Sequence, residues 1–497
     1  MGAGLAVEGL FLLLCGIVDA VSGSSSAPAL LAVGLVVTVA GMTVARRWPF
    51  PAQPVRSSML PAIAVLLANA VVVSSLAYVA SDAQMSVRDS IFESLSGFTT
   101  SALTTVQPEA LSPGILLWRS ATQWLGGYLI LVMITSIAPF YSSSRRSGAH
   151  VGSDGGVAPM ADRSRTGVEH VSAIYGACTL VILAAYLAAG MPVFDSVNHA
   201  MTTVSTGGFS VRNQNMAAYL SPRIEWVACA GMLMGGTSAV VFWWASLRRI
   251  GPIWRSSELK LYLFLIAAAT ATVVGTDGLA LHEGELRRAT FGVVSAASTT
   301  GFVVQRLGSW SEVAQAVSLA MMSVGAMAAS AGGGFRVKRL LALISVARRE
   351  LFVAVHPRAV RVVRIDDLVL TEGAVSRMLG YQSLYILFAG LGALLLSLQG
   401  YGMVEAFSAA VSALSTVGPA LGPLADATAP PEPGVRWTLG VLMTLGHVEI
   451  FPVMTLLGLM GTRLRGRVGR RALVAKNATP GADKRRLGRL FRGGHGT

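Results

Sequence analysis

The sequence predicts an all-α polytopic membrane protein: four repeats of helix, short re-entrant segment and second helix, together with an N-terminal helical hairpin. Of its 497 residues, 53% are hydrophobic and only 13% are charged, and the mean hydropathy is +0.61. Apolar segments of roughly 20 residues, long enough to cross a bilayer as helices, recur along the whole chain. Four short runs rich in Ser, Thr and Gly lie between these segments, which predicts a fourfold internal repeat. The runs are Glu93–Thr105, Thr203–Ser210, Ser295–Phe302 and Ser412–Pro419.

The charge and the cysteines exclude several soluble classes. The chain carries 39 Lys and Arg against 25 Asp and Glu, a net charge of +14. We attribute this excess to membrane topology and not to nucleic-acid binding, because the basic residues lie in short loops between apolar segments and in the C-terminal tail. Cys15, Cys178 and Cys229 lie in apolar segments without metal-ligand spacing, so they are predicted to be core residues. No constellation of His, Cys, Asp and Glu has catalytic spacing, so an enzyme is not expected.

Residues 1–57 are predicted to form an N-terminal transmembrane hairpin. Apolar segments at about 5–20 and 28–45 are followed by Arg46-Arg47 and by a connector with Pro49, Pro51 and Pro54. No Lys or Arg precedes the first segment, which favours a retained helix over a cleaved signal peptide.

The four pore repeats are predicted at 58–167, 168–257, 258–376 and 377–462. In each repeat a basic cluster follows the second helix, whereas acidic residues flank the Ser/Thr/Gly runs. This pattern places the basic loops in the cytoplasm and all four runs on the extracellular side. Residues 463–497 form a basic cytoplasmic tail, which is either a solvated end held near anionic lipid or a dedicated binding segment.

Each Ser/Thr/Gly run follows a segment that is too short to cross a bilayer. These segments cover about 86–96, 195–204, 286–297 and 404–414. Half-helices of this kind would aim their partly negative C-terminal ends at one point, where non-helical backbone is tolerated if it lines a water-filled path. Backbone carbonyls and hydroxyls there supply the oxygen cage that a dehydrated alkali ion requires. The sequence therefore predicts a cation pathway at the centre of the repeats.

Several further stretches carry a family resemblance. They are Trp118-Arg119-Ser120 with Thr122-Gln123-Trp124-Leu125-Gly126-Gly127, Asn198-His199-Ala200, Arg349-Glu350 with His356-Pro357, and Gly418-Pro419 with Leu421-Gly422. Together with the four runs, they resemble the Trk/Ktr/HKT superfamily of potassium transporters over about residues 5–462. The similarity is greatest to the membrane subunit of bacterial Trk systems.

The resemblance implies a homodimer in the bacterial cytoplasmic membrane, with one pore in each subunit. It implies that K⁺, or also Na⁺, is the transported ion and that this chain holds no cofactor of its own. A nucleotide is expected only on a partner, a cytosolic nucleotide-binding regulatory subunit of the Trk type. Membrane lipid is a further expected contact, and nucleic acid is not expected.

The resemblance also assigns the ion-binding residues of a selectivity filter. Gly208 (or its neighbour Gly207), Gly301 and Gly418 fall at the selectivity glycines. In the first repeat, Ala102 stands where the family has glycine. Alanine in left-handed backbone costs on the order of 1 kcal/mol, so either the site accommodates it or selectivity for K⁺ weakens. The full predicted set is Thr100, Ser101, Ala102, Thr206, Gly207, Gly208, Thr300, Gly301, Val417 and Gly418.

A gating loop is predicted in the third repeat. Gly332, Gly333 and Gly334 interrupt an apolar segment, and each glycine destabilises a helix by roughly 1 kcal/mol relative to alanine. This favours a non-helical loop beneath the filter over close helix packing. In the family this loop is an intramembrane gate, and Ser330 belongs to the same stretch. His447 stands where Trk proteins usually have arginine, and we assign it to gating either as a pH-sensitive replacement or as a polar packing residue.

These features predict uptake of K⁺, or also Na⁺, through a channel-like filter gated by the intramembrane loop and by a cytosolic regulator. Two alternatives stay open. A non-conducting or regulatory homologue would explain why Ala102 and His447 occur together. A proton-coupled or sodium-coupled symporter would need only a few ionisable groups within the spans.

Overall fold

The computed structural model describes residues 2–48, 56–81, 85–142, 164–276, 283–366, 368–425, 432–448 and 450. Within them, six helices are long and apolar enough to cross a membrane, and a seventh candidate is a helix pair bent by 95°. The predicted all-α polytopic membrane fold is thus confirmed. The predicted proline connector, most of the basic loop of the first repeat and the tail from residue 463 lie outside the described residues.

The N-terminal hairpin packs through glycine. Its helices are α1 (Gly2–Val21) and α2 (Ala27–Arg47). A β-carbon added to Gly2 would lie 2.7 Å from the Gly41 carbonyl oxygen, and one added to Gly9 would lie 2.9 Å from that of Gly34. Small residues spaced in this way let two membrane helices approach closely, which accounts for the tight hairpin.

The first two repeats each contain a long helix, a short helix and a second long segment. The first has α3 (Arg56–Ala80), α4 (Val87–Phe98), the 3₁₀ helix η1 (Pro108–Ala110) and α5 (Pro113–Ser142). The second has α6 (Ser164–Ala188), α7 (Val193–Val204), η2 (Asn215–Tyr219), α8 (Pro222–Gly236), α9 (Ala239–Ser246) and α10 (Ile250–Arg255). We expected one continuous helix after η2; instead α8 and α9 meet at 95°, where Gly235 and Gly236 weaken the helix.

The third and fourth repeats follow the same order. The third has α11 (Ser257–Thr276), α12 (Glu283–Ala297), η3 (Leu307–Ser309), α13 (Glu312–Val324) and α14 (Val337–Val355). The fourth has α15 (Glu372–Ser397), α16 (Met403–Leu414), η4 (Gly422–Ala425) and α17 (Pro433–His447). Between them, β1 (Arg364–Ile365) pairs antiparallel with β2 (Leu368–Val369), with Ile365 opposite Leu368. The four short helices α4, α7, α12 and α16 lie where the sequence predicts half-helices.

Asp19 joins the hairpin to the first repeat. Its side chain is fully buried and accepts hydrogen bonds from the Gly114 amide (2.5 Å) and from the hydroxyls of Ser26 (2.6 Å) and Ser112 (2.8 Å). Gly114 lies in the first turn of α5, where amide groups lack helical partners and favour a carboxylate. One side chain of α1 therefore caps a helix of the first repeat.

Candidate ion pathway

The four short helices end in the same backbone motif. The residue that follows the C-cap of each helix has a positive φ and donates its amide to the carbonyl three residues earlier. The next residue donates its amide to the carbonyl five residues earlier. This pattern is a Schellman motif, in which glycine is the usual left-handed residue. Here threonine occupies that position every time: Thr100 (φ 53°), Thr206 (φ 51°), Thr299 (φ 58°) and Thr416 (φ 56°).

A second left-handed residue follows two positions later in each motif. These residues are Ala102 (φ 46°), Gly208 (φ 77°), Gly301 (φ 80°) and Gly418 (φ 108°). We call the segments 99–103, 205–209, 298–302 and 415–419 turns 1 to 4. The shared dihedral pattern fixes their alignment, which the sequence left ambiguous at Gly207 and Gly208: Gly208 corresponds to Gly301 and Gly418.

The alignment also changes the predicted residue set. Thr300 corresponds to Ser101, Gly207 and Val417. Thr299 and Thr416, which sequence reasoning missed, correspond to Thr100 and Thr206. Counting two residues back from each selectivity glycine would have found them.

The four turns meet at one place. A β-carbon on Gly208 would overlap the Thr300 carbonyl oxygen, and one on Gly301 would overlap that of Val417. A β-carbon on Gly418 would lie 2.6 Å from the Ser101 carbonyl oxygen and 2.6 Å from the methyl group of Ala102. The structure thus brings the predicted residues of all four repeats together. Backbone carbonyls and threonine hydroxyls dominate this cluster, and such neutral oxygens suit a dehydrated alkali ion.

A cavity of about 530 Å³ opens on one side of the turns. Its lining combines residues of all four turns with residues of η1, η2 and η4: Ala102, Gly208, Gly301, Gly418, Pro108, Asn215, Ala217 and Leu424 among them. Asn215 stands out because its amide donates to the Gly208 carbonyl (3.3 Å) and accepts from the Val303 amide (3.3 Å). Asn215 therefore ties turn 2 to the segment after turn 3.

A buried ion pair supports turn 1. Arg119 of α5 donates to Glu93 of α4 at 2.7 Å, and the two side chains are 2% and 0% exposed. Arg119 also donates to the Thr104 hydroxyl (3.1 Å), and its guanidinium lies 4.2 Å from the centre of the Phe209 ring. Because each charge has several partners, the pair is compensated and links turns 1 and 2.

His199 supports turn 2 from the corresponding place on α7. One ring nitrogen lies 2.8 Å from the Asp195 carbonyl and the other 3.1 Å from the Ser210 hydroxyl. The Asp195 carboxylate accepts from Arg212 (3.0 Å) and from the Tyr219 hydroxyl (2.7 Å). Burial is the largest cause that raises the pKa of Tyr219 well above its usual value, and the hydrogen bond to Asp195 is the second. Tyr219 therefore stays a neutral donor in this network.

The predicted gating loop is non-helical, and it is longer than the glycine run. It extends over residues 325–336, between α13 and α14, and begins at Gly325 with φ 70°. Gly333 donates its amide to the Thr299 hydroxyl at 2.8 Å. A β-carbon on Gly332 would lie 2.9 Å from the Ser298 carbonyl, and one on Gly333 would overlap that of Ser415. The loop thus packs against residues of turns 3 and 4 that do not line the cavity.

Other contacts anchor this loop to the second repeat and to α11. The Met327 amide donates to the Gly236 carbonyl (3.0 Å), and the Ala239 amide donates to the Ala329 carbonyl (2.9 Å). The Ala328 amide donates to Glu258 (2.6 Å). Ser330, predicted as a gating residue, is buried and hydrogen-bonds within the loop to the Met327 carbonyl.

His447, the predicted gating residue outside the loop, lies near turn 1 and near the end of the loop. It is 6% exposed, and it interacts electrostatically with the Thr99 backbone and with Arg336. Its Nε2 atom has no hydrogen-bond partner in the described part of the chain. His447 is therefore close enough to both elements to influence them.

The fold and the turns define a class: an integral membrane protein for transport, in which four half-helices end at one oxygen-rich point. Residues 50–460 match the family model TrkH, described as a cation transport protein. The chain belongs to this family of cation transport proteins, which confirms the predicted resemblance, and it is not an enzyme.

Curated relatives and a solved structure agree with this assignment. The Trk system potassium uptake protein TrkH of Salmonella typhimurium is 30% identical over 395 residues, covering 77% of this chain and 81% of the relative. The protein of the same name from Halomonas elongata is 32% identical over 386 residues, covering 75% and 79%. The crystal structure of the potassium transporter TrkH from Vibrio parahaemolyticus matches with a TM-score of 0.82 at 25% identity, over 92% of this chain and 97% of that one.

Proposed function

We propose that this chain forms a K⁺ uptake pathway in the bacterial cytoplasmic membrane, which also admits Na⁺, and that turns 1 to 4 are its selectivity filter. The observation that carries the proposal is the shared backbone of the turns, with left-handed residues two positions apart in all four. Four helix C-termini supply partial negative charge at their meeting point, and neutral oxygens replace the hydration shell of the ion. The names of the relatives, potassium uptake proteins, support K⁺ as the main ion.

We further propose that the loop at 325–336 gates this pathway. Ions that leave the cavity through the turns would next meet Gly332 and Gly333, which pack against turns 3 and 4. The backbone hydrogen bonds to Gly236 and Ala239 connect the loop to the bend between α8 and α9. Movement at that bend would therefore be transmitted to the loop.

The proposal includes a homodimer and a cytosolic nucleotide-binding regulatory subunit, with no cofactor in this chain. Apolar side chains exposed on α14 and just beyond it support a protein contact there: Leu351 is 70% exposed, Val355 73% and Val360 97%. Such side chains are commonly covered by a partner. Light scattering of the purified protein measures the oligomeric state, and co-purification with a nucleotide-binding partner tests the regulator.

The direct test is ion flux into liposomes that contain the purified chain. We expect Rb⁺ uptake driven by a K⁺ gradient, and loss of uptake in Gly418→Val. Vesicles as tight as protein-free ones would reject conduction and favour the non-conducting homologue. Rescue of a potassium-uptake-deficient cell is the matched cellular test, because a non-conducting homologue cannot rescue. Uptake that requires an inward proton or sodium gradient would instead indicate a symporter.

A further inference from the structure

The contact between turns 1 and 2 differs from the other contacts between neighbouring turns. Turn 2 meets turn 3, turn 3 meets turn 4 and turn 4 meets turn 1 through a glycine that faces a carbonyl of the next turn. In each case a β-carbon would lie within 2.6 Å of that carbonyl oxygen or overlap it. At the remaining contact the corresponding residue is Ala102, which has a β-carbon, and the corresponding carbonyl belongs to Gly207. A methyl group there needs space that the other three contacts do not offer.

The Gly207 carbonyl is held from behind by Gln123. The Gln123 side chain is fully buried, its Nε2 donates to the Gly207 carbonyl at 2.6 Å, and its Oε1 accepts from the Phe209 amide at 3.0 Å. One side-chain amide therefore bridges both sides of Gly208. In the described part of the chain, no such side-chain donor is found on the carbonyls of Ser101, Thr300 and Val417. Turn 2, whose Gly207 carbonyl accepts this hydrogen bond, is thus the turn that faces Ala102.

We propose that Gln123 is a positioning residue that sets ion selectivity, by drawing the Gly207 carbonyl away from the methyl group of Ala102. The inference rests on the proposed filter function. The bond holds the Gly207 oxygen back from the ring of carbonyls, and an oxygen that accepts a short hydrogen bond binds an ion less strongly. The ion then meets three free carbonyls and one restrained carbonyl, so the discrimination between K⁺ and Na⁺ depends on Gln123 and Ala102 together.

A double-mutant cycle on thermal stability tests the packing without any ion flux. Gln123→Met has a similar size but cannot donate to Gly207, so the released carbonyl should crowd Ala102 and lower the melting temperature. Ala102→Gly removes the methyl group and should restore the part of that loss that comes from crowding, since contacting residues are not additive. Gln123→Leu, which also cannot donate to Gly207, is the second variant should Gln123→Met fail to fold. Equal losses in the wild-type background and in the Ala102→Gly background would overturn the proposal.

The same cycle on bi-ionic reversal potentials tests selectivity. We expect Gln123→Met to change the K⁺/Na⁺ permeability ratio by about tenfold, the equivalent of one buried hydrogen bond. In the Ala102→Gly background the change should fall below about twofold. A change of the same size in both backgrounds would mean that Gln123 supports turn 2 independently of Ala102.

Gln382→Leu is the matched control, because Gln382 also donates a side-chain amide to a backbone carbonyl, that of Arg339 at 3.2 Å, away from the turns. It should leave the permeability ratio unchanged in both backgrounds. Wild-type protein without any flux would reject the proposed function, whereas the stability cycle would still decide whether Gln123 makes room for Ala102.

Discussion

Gly301 touches the carbonyl of Val417 so closely that a β-carbon at position 301 would overlap the carbonyl oxygen. Its φ of 80° independently favours glycine. Two separate constraints, steric and conformational, therefore apply at the contact between turns 3 and 4. The same pair of constraints applies at Gly208 and Gly418, which shows that the turns pack as one unit.

Gly301→Ala is expected to abolish Rb⁺ flux into liposomes, because turn 3 must move away from turn 4 and the oxygen cluster is lost. Gly308→Ala in η3 is the matched control, since an added β-carbon there meets no atom within 4 Å. Normal flux in a well-folded Gly301→Ala protein would show that ions do not pass between these turns.

Ala102→Gly is expected to raise the K⁺/Na⁺ permeability ratio. The substitution removes the strain of an alanine in left-handed backbone, with φ 46°, a strain of about 1–2 kcal/mol. It also removes a methyl group from the meeting point of turns 1, 2 and 4. Bi-ionic reversal potentials measure the ratio in both proteins. An unchanged ratio would remove Ala102 from the account of selectivity.

Glu93→Gln is expected to destabilise the protein by about 3–5 kcal/mol, because it leaves the Arg119 guanidinium buried without its carboxylate. Glu285→Gln is the control: its pair with Arg288 is 3.4 Å long, and the two side chains are 34% and 47% exposed, so its loss should cost about 0–1 kcal/mol. Denaturant unfolding in detergent measures both. Similar losses in the two variants would mean that the Glu93–Arg119 pair is not a special support of turn 1.

The fold could be predicted because a helix that crosses the bilayer needs about 20 apolar residues, and segments of this length are visible in the sequence. The short helices α4, α7, α12 and α16 begin and end within about three residues of the predicted segments, because those segments are visibly too short to cross. The bend between α8 and α9 was not predicted, since the glycines that precede it are equally compatible with a straight helix.

The alignment of the turns could be predicted only in part. The dihedral pattern makes Leu103 the counterpart of Phe209, although Phe98 is the residue of matching type in the first run. Left-handed threonine cannot be recognised from residue type, because threonine rarely adopts this geometry. The partners Glu93–Arg119 and Gln123–Gly207 are 26 and 84 residues apart in the chain, and one sequence contains no signal for such pairs.

Gly333→Ala is expected to increase Rb⁺ flux in liposomes that contain no other protein. Its β-carbon would overlap the Ser415 carbonyl and the Thr416 hydroxyl, so the loop must move away from the turns that it covers. Gly390→Ala in α15 is the control, because a β-carbon there meets nothing within 4 Å. Unchanged flux in a folded Gly333→Ala protein would argue against the loop as a barrier.

His447→Arg is expected to reduce flux by about fivefold or more, because it places a permanent positive charge near turn 1 and Arg336. A charge a few ångströms from the ion path costs at least about 1 kcal/mol. His447→Gln, which is polar but uncharged, should stay within about twofold of wild type on the same electrostatic argument. Rb⁺ uptake compares the three proteins at equal reconstituted amounts. Equal impairment of both variants would show that His447 acts through packing, whereas full conduction by His447→Arg would place position 447 away from the ion path.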